Sequence, residues 1–384
     1  MAIKLANADI SALYLGSTAV SAAYLGSTSV FTAGGGGGGG GSVGSLYGWG
    51  VNNMYQLGTG SLGTVSTPTQ IGSAQWSDVS GFWEHSLGIS GNALYAWGTD
   101  NDGTLGGIGF SATSPTQIGS DSWSKVAAGN THSLAIDASG YLFAFGNNAY
   151  GQLGDGTTTN RATPTQIGSD TWSAIAAGTQ HSCGIKTNGT LWNWGPGAKL
   201  GSGNVDSTSP VQVGSDTWSE VKISKGGSFT VGITSGGALY CWGYFVYGLT
   251  GDTNTYLAEA FSPQLVDSGP WLTASAGSDH IAAIKTNGDL YAWGLGSSGQ
   301  LGNGGTSASY DISQIGSAQW TDVSCGVSHT IAIASDSTLY GWGNNSTSQL
   351  GDGTTTNRLS PTQIDSGTWL SVNAGQNYSL AIKQ

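Results

Sequence analysis

The residues of this sequence best suited to chemistry are its histidines, because imidazole transfers protons and binds zinc. There are five, His85, His132, His181, His280 and His329. All five occupy one position of an internal repeat, and two further copies carry Phe229 and Tyr378 at that position. A position that accepts His, Phe and Tyr favours packing over catalysis. We therefore predict that each ring is hydrogen-bonded inside its own repeat unit, and we expect no catalytic residue and no bound metal.

The other reactive or ligating side chains point the same way. Cys183, Cys241 and Cys325 are far apart in the sequence and match no metal-binding spacing, so we interpret them as small buried apolar residues. Asp, Gly and Thr recur in the near-identical stretches 152–161 and 349–358, but their spacing departs from that of a calcium loop. We interpret these stretches as turns, and we expect no cofactor.

The repeat itself predicts the fold. The pentapeptide LYGWG at 46–50 returns, with variations, six more times at intervals of 48 to 51 residues. Each interval reads as four short strands, which predicts an all-β, seven-bladed β-propeller of four-stranded blades over residues 46–384. The C-terminal stretch 369–383 supplies two strands, and 46–50 with 68–72 supply two more. Joined, they predict one shared blade that closes the ring.

Composition limits the partners. Only 8% of the residues are charged, the formal charge is −12, and the ten Lys and Arg residues are scattered singly. A nucleic-acid-binding surface needs clustered basic residues, so we expect no nucleic-acid partner. We also expect no membrane insertion, since no apolar run is long enough to span a bilayer, and no cleaved signal peptide.

Several motifs in each unit resemble those of the regulator-of-chromosome-condensation repeat family. They are the AAGxxHSLAI element, as at 127–136, the Asn-Gly turn, LYxWG, GQLG at 151–154 and 299–302, and the proline that follows. The resemblance covers all seven units and implies a seven-bladed propeller. It implies little about function, because one fold serves many unrelated tasks.

Positions that break the repeat are the candidates for a binding site. Aromatic residues replace polar ones in two connections, at Phe82 and Trp83 and at Tyr244, Phe245 and Tyr247. In a four-stranded blade the first-to-second and third-to-fourth connections emerge on the same face, so both groups are expected on one face of the disc. Exposed aromatic residues are typical binding anchors. The alternative is that they fill gaps against neighbouring loops, and the sequence leaves both open.

The first 45 residues have a different pattern. Residues 11–20, SALYLGSTAV, are followed by the similar SAAYLGSTSV at 21–30, and Gly34 to Gly41 is an unbroken glycine run. We predict a small β-rich anchor over 1–33, a glycine-rich linker over 34–45, and association with another copy through the anchor. The proposed anchor residues are Leu13, Tyr14, Leu15, Tyr24 and Leu25. The tandem YLGST segment is similar to N-terminal regions of virion proteins of tailed bacteriophages.

These features together predict a non-enzymatic adhesion protein of a phage particle. Its anchor would bind other virion proteins at the tail, collar or capsid, and its propeller would bind a host-surface glycan or protein. The alternative is an extracellular interaction propeller similar to the β-lactamase inhibitor proteins of the same repeat family.

Two further functions are disfavoured. Chromatin binding with nucleotide exchange, which the resemblance also implies, would require a basic tail and an inserted wedge that the sequence lacks. A polysaccharide hydrolase would require paired carboxylates, which only the fold could bring together from Glu84, Glu220 and Glu259.

Overall fold

The computed structural model describes residues 43–197, 201–203, 205–246 and 257–384, without the side chains of 245–246 and 257–258. It also describes the backbone of four short strands before residue 33. The chain divides into two units, Met1–Gly35 and Gly36–Gln384. The predicted linker lies largely outside the described residues, so its boundaries stay a prediction.

The first unit contains two small hairpins. Strand β1 (Tyr14–Leu15) pairs with β2 (Thr18–Ala19), and β3 (Ala22–Leu25) pairs with β4 (Thr28–Thr32), both antiparallel. The hairpins fall within the two tandem YLGST segments and the residues that follow the second.

The second unit consists of antiparallel strands in three continuous sheets. In chain order these strands are β5 (Gly44–Gly50), β6 (Val65–Gly81), β7 (His85–Ser90), β8 (Ala93–Gly98), β9 (Ala112–Ile118), β10 (Trp123–Ala128), β11 (His132–Asp137), β12 (Tyr141–Gly146), β13 (Arg161–Ala177), β14 (Ser182–Lys186), β15 (Thr190–Gly195), β16 (Ser207–Ile223), β17 (Phe229–Thr234), β18 (Leu239–Val246), β19 (Leu257–Asp267), β20 (Trp271–Ala276), β21 (His280–Lys285), β22 (Asp289–Gly294), β23 (Ser309–Cys325), β24 (His329–Ala334), β25 (Leu339–Gly343), β26 (Arg358–Asp365), β27 (Trp369–Ala374) and β28 (Tyr378–Lys383).

Four of these strands, β6, β13, β16 and β23, are 17 residues long. Each pairs with the preceding strand through its first half and with the following strand through its second half. One long strand therefore serves as the outer strand of one blade and the inner strand of the next. The pairing fits seven four-stranded blades, which we number from the blade that contains His85.

Both ends of the propeller contribute to blade 7. Strand β28 pairs with β5, with Tyr378 opposite Gly50, and β5 continues into the first half of β6. This pairing joins the two ends of the propeller in one sheet, as the sequence pattern predicts.

The core of each blade is built around two large aromatic residues, in most blades both tryptophan. In blade 1, Trp76 opens the inner strand and Trp97 lies in the third strand, with ring centroids 5.7 Å apart in an edge-to-face arrangement. The last residue of LYxWG has to be glycine because its backbone conformation and surroundings leave no room for a side chain. Gly98 has φ +104°, and a Cβ there would lie 2.3 Å from the Glu84 carbonyl oxygen.

All described secondary structure is β, and the described residues include no helix long and apolar enough to cross a membrane. The first-to-second and third-to-fourth connections of every blade lie at the same ends of the strands. We call this side of the propeller the loop face, and it carries Phe82, Trp83 and Tyr244 among the aromatic residues that break the repeat.

Candidate functional site

The five histidines form contacts between blades. Each lies at or just before the start of a second strand and is buried. The Nε2 atom of His132 lies 2.8 Å from the Ser182 hydroxyl of the next blade, and that of His85 lies 2.9 Å from Ser133. The prediction of bonds inside one blade is therefore wrong. The ring reaches the hydroxyl at the start of the neighbouring second strand, which the sequence places a whole repeat away.

The same hydroxyl connects to a loop. Ser182 donates a hydrogen bond of 2.8 Å to the Gln152 carbonyl oxygen, and the Trp194 indole donates another of 2.8 Å to the same oxygen. Equivalent contacts recur at most blade boundaries, including the one between His329 of blade 6 and Ser379 of blade 7. These hydrogen bonds connect the loops to the boundaries between blades.

The two positions without histidine support the same interpretation. Where His is replaced by Phe229, the partner position in the next blade is Ile281, and both side chains are buried in one apolar cluster. Where it is replaced by Tyr378, the hydroxyl lies 3.0 Å from that of Ser86. The two sides of each boundary are thus matched as polar or apolar pairs.

Burial sets the chemistry of these rings. It lowers the pKa of His85 to about 4, and the pKa values of His132, His280 and His329 to about 3. These four rings are neutral at physiological pH, and the partner of each Nε2 atom is a hydroxyl. They join blades and are poor candidates for proton transfer.

The cysteines are also unsuited to reaction. All three are free and buried. Burial raises the pKa of the Cys325 thiol to about 11 and raises the pKa values of Cys183 and Cys241 as well. A thiolate is the reactive form, so these residues pack as small apolar groups.

The Asp-Gly-Thr loops are internally bonded. In 152–161, the Asp155 carboxylate lies 2.6 Å from the Arg161 guanidinium and accepts a hydrogen bond of 3.0 Å from the Asn148 amide. Burial acts to raise the pKa of Asp155, but hydrogen bonds from Thr157 and Arg161 outweigh it and lower the pKa. Asp352 is bonded to Asn345 and Arg358 in the same way. Across the described residues, no group of three or more His, Cys, Asp or Glu is placed to hold a metal ion.

The structure separates the predicted aromatic residues. Phe82 is 2% exposed, whereas Trp83 is 39% exposed and Tyr244 is 43% exposed. Tyr247 and the side chain of Phe245 lie outside the described residues. So do Leu13 and the side chains of the other proposed anchor residues, of which Tyr14 and Leu15 lie in β1 and Tyr24 and Leu25 in β3.

Phe82 takes part in a contact between blades 1 and 4, in which its ring lies against the side chain of Lys225. The Lys225 ammonium of blade 4 lies 4.9 Å from the Phe82 ring centroid and donates a hydrogen bond of 2.8 Å to the Gly81 carbonyl oxygen of blade 1. The Lys225 backbone N–H donates to blade 5, at Ala276 and Gly277. Burial, and then repulsion by Lys222, lowers the pKa of Lys225 to about 7. Phe82 and Lys225 thus connect blades rather than present a binding surface.

Further exposed apolar side chains lie on the loop face, and they were not predicted from the sequence. Together with Trp83 and Tyr244 they follow five consecutive blades, from blade 7 through blade 4, and we call this set the apolar arc. Its members are Met54, Leu62, Trp83, Phe110, Tyr150, Val205 and Tyr244. The described loops 295–308 and 344–357 of blades 5 and 6 contain no large exposed apolar residue. The missed signal was an apolar residue at a loop position that is polar in another blade, as Tyr150 stands where blade 6 has Thr347.

Comparison with known proteins places the chain in a class. The family model described as the regulator of chromosome condensation (RCC1) repeat matches residues 43–89, 92–136, 139–185, 287–333 and 336–382, which is more than half of the chain. Together with the strand pairing, this defines an RCC1-type β-propeller. The chain belongs to the RCC1 repeat family.

Solved structures agree on the fold. The crystal structure of human WBSCR16 has a TM-score of 0.79 at 20% identity and covers 89% of this chain and 99% of its own. Prp20p from Saccharomyces cerevisiae has a TM-score of 0.79 at 19% identity and covers 91% and 93%. Prp20p is described as binding Gsp1p and histones. At these identities the likeness shows the fold alone.

The proteins that are similar in sequence are longer than the region they share with this chain. The human E3 ubiquitin-protein ligase HERC2 is 30% identical over 285 residues, which are 69% of this chain and 6% of HERC2. The Arabidopsis thaliana ultraviolet-B receptor UVR8 is 29% identical over 278 residues, which are 67% of this chain and 62% of UVR8. The chain therefore spans less than two thirds of the length of either relative.

These comparisons overturn the predicted function and location. The relatives are human, plant and yeast proteins with RCC1-type propellers, and none of these is a virion or host-adhesion protein. The prediction of a phage adhesion protein, at the virion surface or outside the cell, is wrong. The family matches begin at residue 43, so they do not support the resemblance of residues 1–33 to phage proteins or virion partners for that segment.

Proposed function

We propose that this chain is a non-enzymatic, seven-bladed RCC1-type propeller that binds a partner protein through the apolar arc of its loop face. The observation that carries the proposal is the run of large exposed apolar residues along the loops of five consecutive blades. Exposed aromatic residues are over-represented among the anchors of protein interfaces. Prp20p, a structural neighbour, is described as binding proteins, which supports a protein partner for this chain as well.

The residues capable of acid–base or nucleophilic chemistry are buried or bonded to other side chains, which favours a binding function over a catalytic one. The buried histidines join blades, the thiols are buried, and two loop aspartates are bonded to arginines. The arc, in contrast, offers large side chains with open faces. Phe110 is 69% exposed and Tyr150 is 52% exposed, and such residues lose little conformational entropy when they bind.

Two near-identical loops provide a matched pair of variants. In blade 2 the loop carries Tyr150, and in blade 6 the equivalent residue is Thr347. The main-chain contact is the same, because the backbone N–H of each donates a hydrogen bond of 2.9 Å to a glutamine side chain two residues on; the Thr347 hydroxyl donates a second one of 2.9 Å to its glutamine. Tyr150→Thr therefore removes the aromatic ring with the loop network intact, and Thr347→Tyr adds a ring outside the arc.

The experiment compares proteins retained by immobilised wild type, Trp83→Ala/Tyr150→Thr and Thr347→Tyr, followed by affinity measurement with the purified partner. We expect a partner that binds wild type and Thr347→Tyr equally. We expect it to bind the double variant about 30-fold more weakly, since two aromatic anchors at about 1 kcal/mol each contribute about 2 kcal/mol together. A partner that binds all three equally would refute the arc as the binding surface.

A further inference from the structure

The strongest clue to the partner's chemistry lies in blade 1, next to the exposed aromatic residues. The stretch from Trp76 to Ser124 contains no Lys or Arg. On the loop face it presents three carboxylates, those of Glu84, Asp100 and Asp102. Of these, Asp102 is exposed and the other two are half-buried.

Neutral groups hold these carboxylates in place. Glu84 accepts a hydrogen bond of 2.8 Å from the Asn101 amide, and Asp102 accepts one of 2.7 Å from the Asn147 amide of blade 2. Asp100 accepts one of 3.1 Å from the Leu105 backbone. No ion pair within the described residues involves any of the three, so each keeps its negative charge open to a partner.

Two other carboxylates on the same face are neutralised by ion pairs. Asp155 and Asp352 each have an arginine from their own loop within salt-bridge distance. Blade 1 lacks such an arginine, and its loops also carry Trp83 and Phe110 of the apolar arc. The combination of open carboxylates and exposed aromatic faces complements a guanidinium, which pairs with the first and stacks on the second.

We infer that the blade 1 sector of the loop face binds an arginine-containing, basic segment of the partner protein. This inference rests on the proposed function and specifies its ligand. The formal charge of −12 would also attract a basic segment from a distance and accelerate its association.

The test uses a synthetic peptide of alternating Arg and Leu and its Glu/Leu counterpart of equal length, with binding measured by fluorescence anisotropy at low salt. The variant Glu84→Gln/Asp102→Asn removes two charges but keeps an oxygen for each amide donor. Its matched control, Asp121→Asn/Asp216→Asn, removes two exposed charges at the opposite ends of the strands.

We expect the Arg peptide to bind and the Glu peptide not to bind. We expect the blade 1 variant to bind about tenfold more weakly, since each close charge pair contributes up to about 1 kcal/mol. The control should bind like wild type. Equal loss in both double variants would reduce the effect to net charge and overturn the inference, as would equal binding of both peptides. A partner that still requires Trp83 and Tyr150 while Glu84→Gln/Asp102→Asn binds it normally would leave the proposed function standing and this inference refuted.

Discussion

The contact between His132 and Ser182 predicts a strong coupling across the boundary between blades 2 and 3. The chain already contains an apolar version of this contact, Phe229 with Ile281. Ser182→Ile alone leaves the buried Nε2 atom of His132 without its hydroxyl partner, which costs about 1–3 kcal/mol of the free energy of unfolding. His132→Phe alone costs less, because the Ser182 hydroxyl keeps its 2.8 Å bond to the Gln152 carbonyl. The double variant restores a matched pair, so we expect the two effects to be non-additive by about 1 kcal/mol or more.

The pH dependence gives a second, independent readout. Burial lowers the pKa of His132 from 6.5 to about 3, so below pH 6.5 the unfolded chain takes up a proton that the folded protein excludes. The free energy of unfolding therefore falls as the pH falls from 6.5 towards 3. Between about pH 7 and about pH 5 this one ring accounts for about 2 kcal/mol of lost stability, a loss that His132→Phe should escape. The raised pKa values of Asp78 and Asp322, about 6 in each, act in the opposite direction but are common to both proteins.

The assay is urea-induced unfolding of the wild type, both single variants and the double variant, each at about pH 7 and about pH 5. The reasoning would be refuted if His132→Phe lost as much stability on acidification as the wild type. It would also be refuted if the two single effects simply added at pH 7, because the ring and the hydroxyl would then not depend on each other.

Two further predictions concern the backbone and the contact between blades 4 and 1. Gly98→Ala places a Cβ 2.3 Å from the Glu84 carbonyl oxygen and should cost well over the ~1 kcal/mol that a left-handed backbone alone costs a side chain. Gly72→Ala, with φ +64° and nothing within 4 Å, should cost only that backbone amount. Thermal unfolding separates the two, and equal losses would contradict the steric argument. Lys225→Met removes an ammonium whose pKa is lowered to about 7 from 10.5, so the wild-type stability should rise relative to the variant between pH 7 and 10.5; parallel pH profiles would contradict the burial of this amine.

Much of the fold was predictable because the repeat encodes it directly. The LYxWG glycine, the paired aromatic residues and the split of blade 7 between both ends of the chain all follow from recurring positions. The partner of each histidine was not predictable in the same way. A hydrogen bond inside a blade and one across a boundary have the same sequence pattern, and only the distance between second strands of neighbouring blades distinguishes them.

The candidate site was predictable only in part, since exposure depends on neighbours. Phe82 and Trp83 are adjacent aromatic residues in one turn, yet the first is buried beneath Lys225 and the second is exposed. Lys225 reaches the Phe82 ring of blade 1 from blade 4. This lysine lies 142 residues after Trp83 in the chain, so the local sequence around the two aromatic residues does not reveal the contact. Phe110 was overlooked because apolar residues in an irregular loop follow no periodic pattern that would indicate which of them is exposed.

The family match itself locates where the chain departs from a regular repeat. The segments matched by the two models of this repeat leave out residues 186–272, a region that contains Phe229 and the Lys225 turn. At the boundary between blades 4 and 5 both side chains are apolar, and an apolar residue on one side alone would leave a buried polar group without a partner. A boundary position therefore has to match its partner as polar or apolar, whereas loop residues such as Tyr150 and Thr347 differ singly on near-identical frameworks. Differences in binding between blades of this propeller are thus to be sought in single loop positions, and differences in stability in matched pairs at the boundaries.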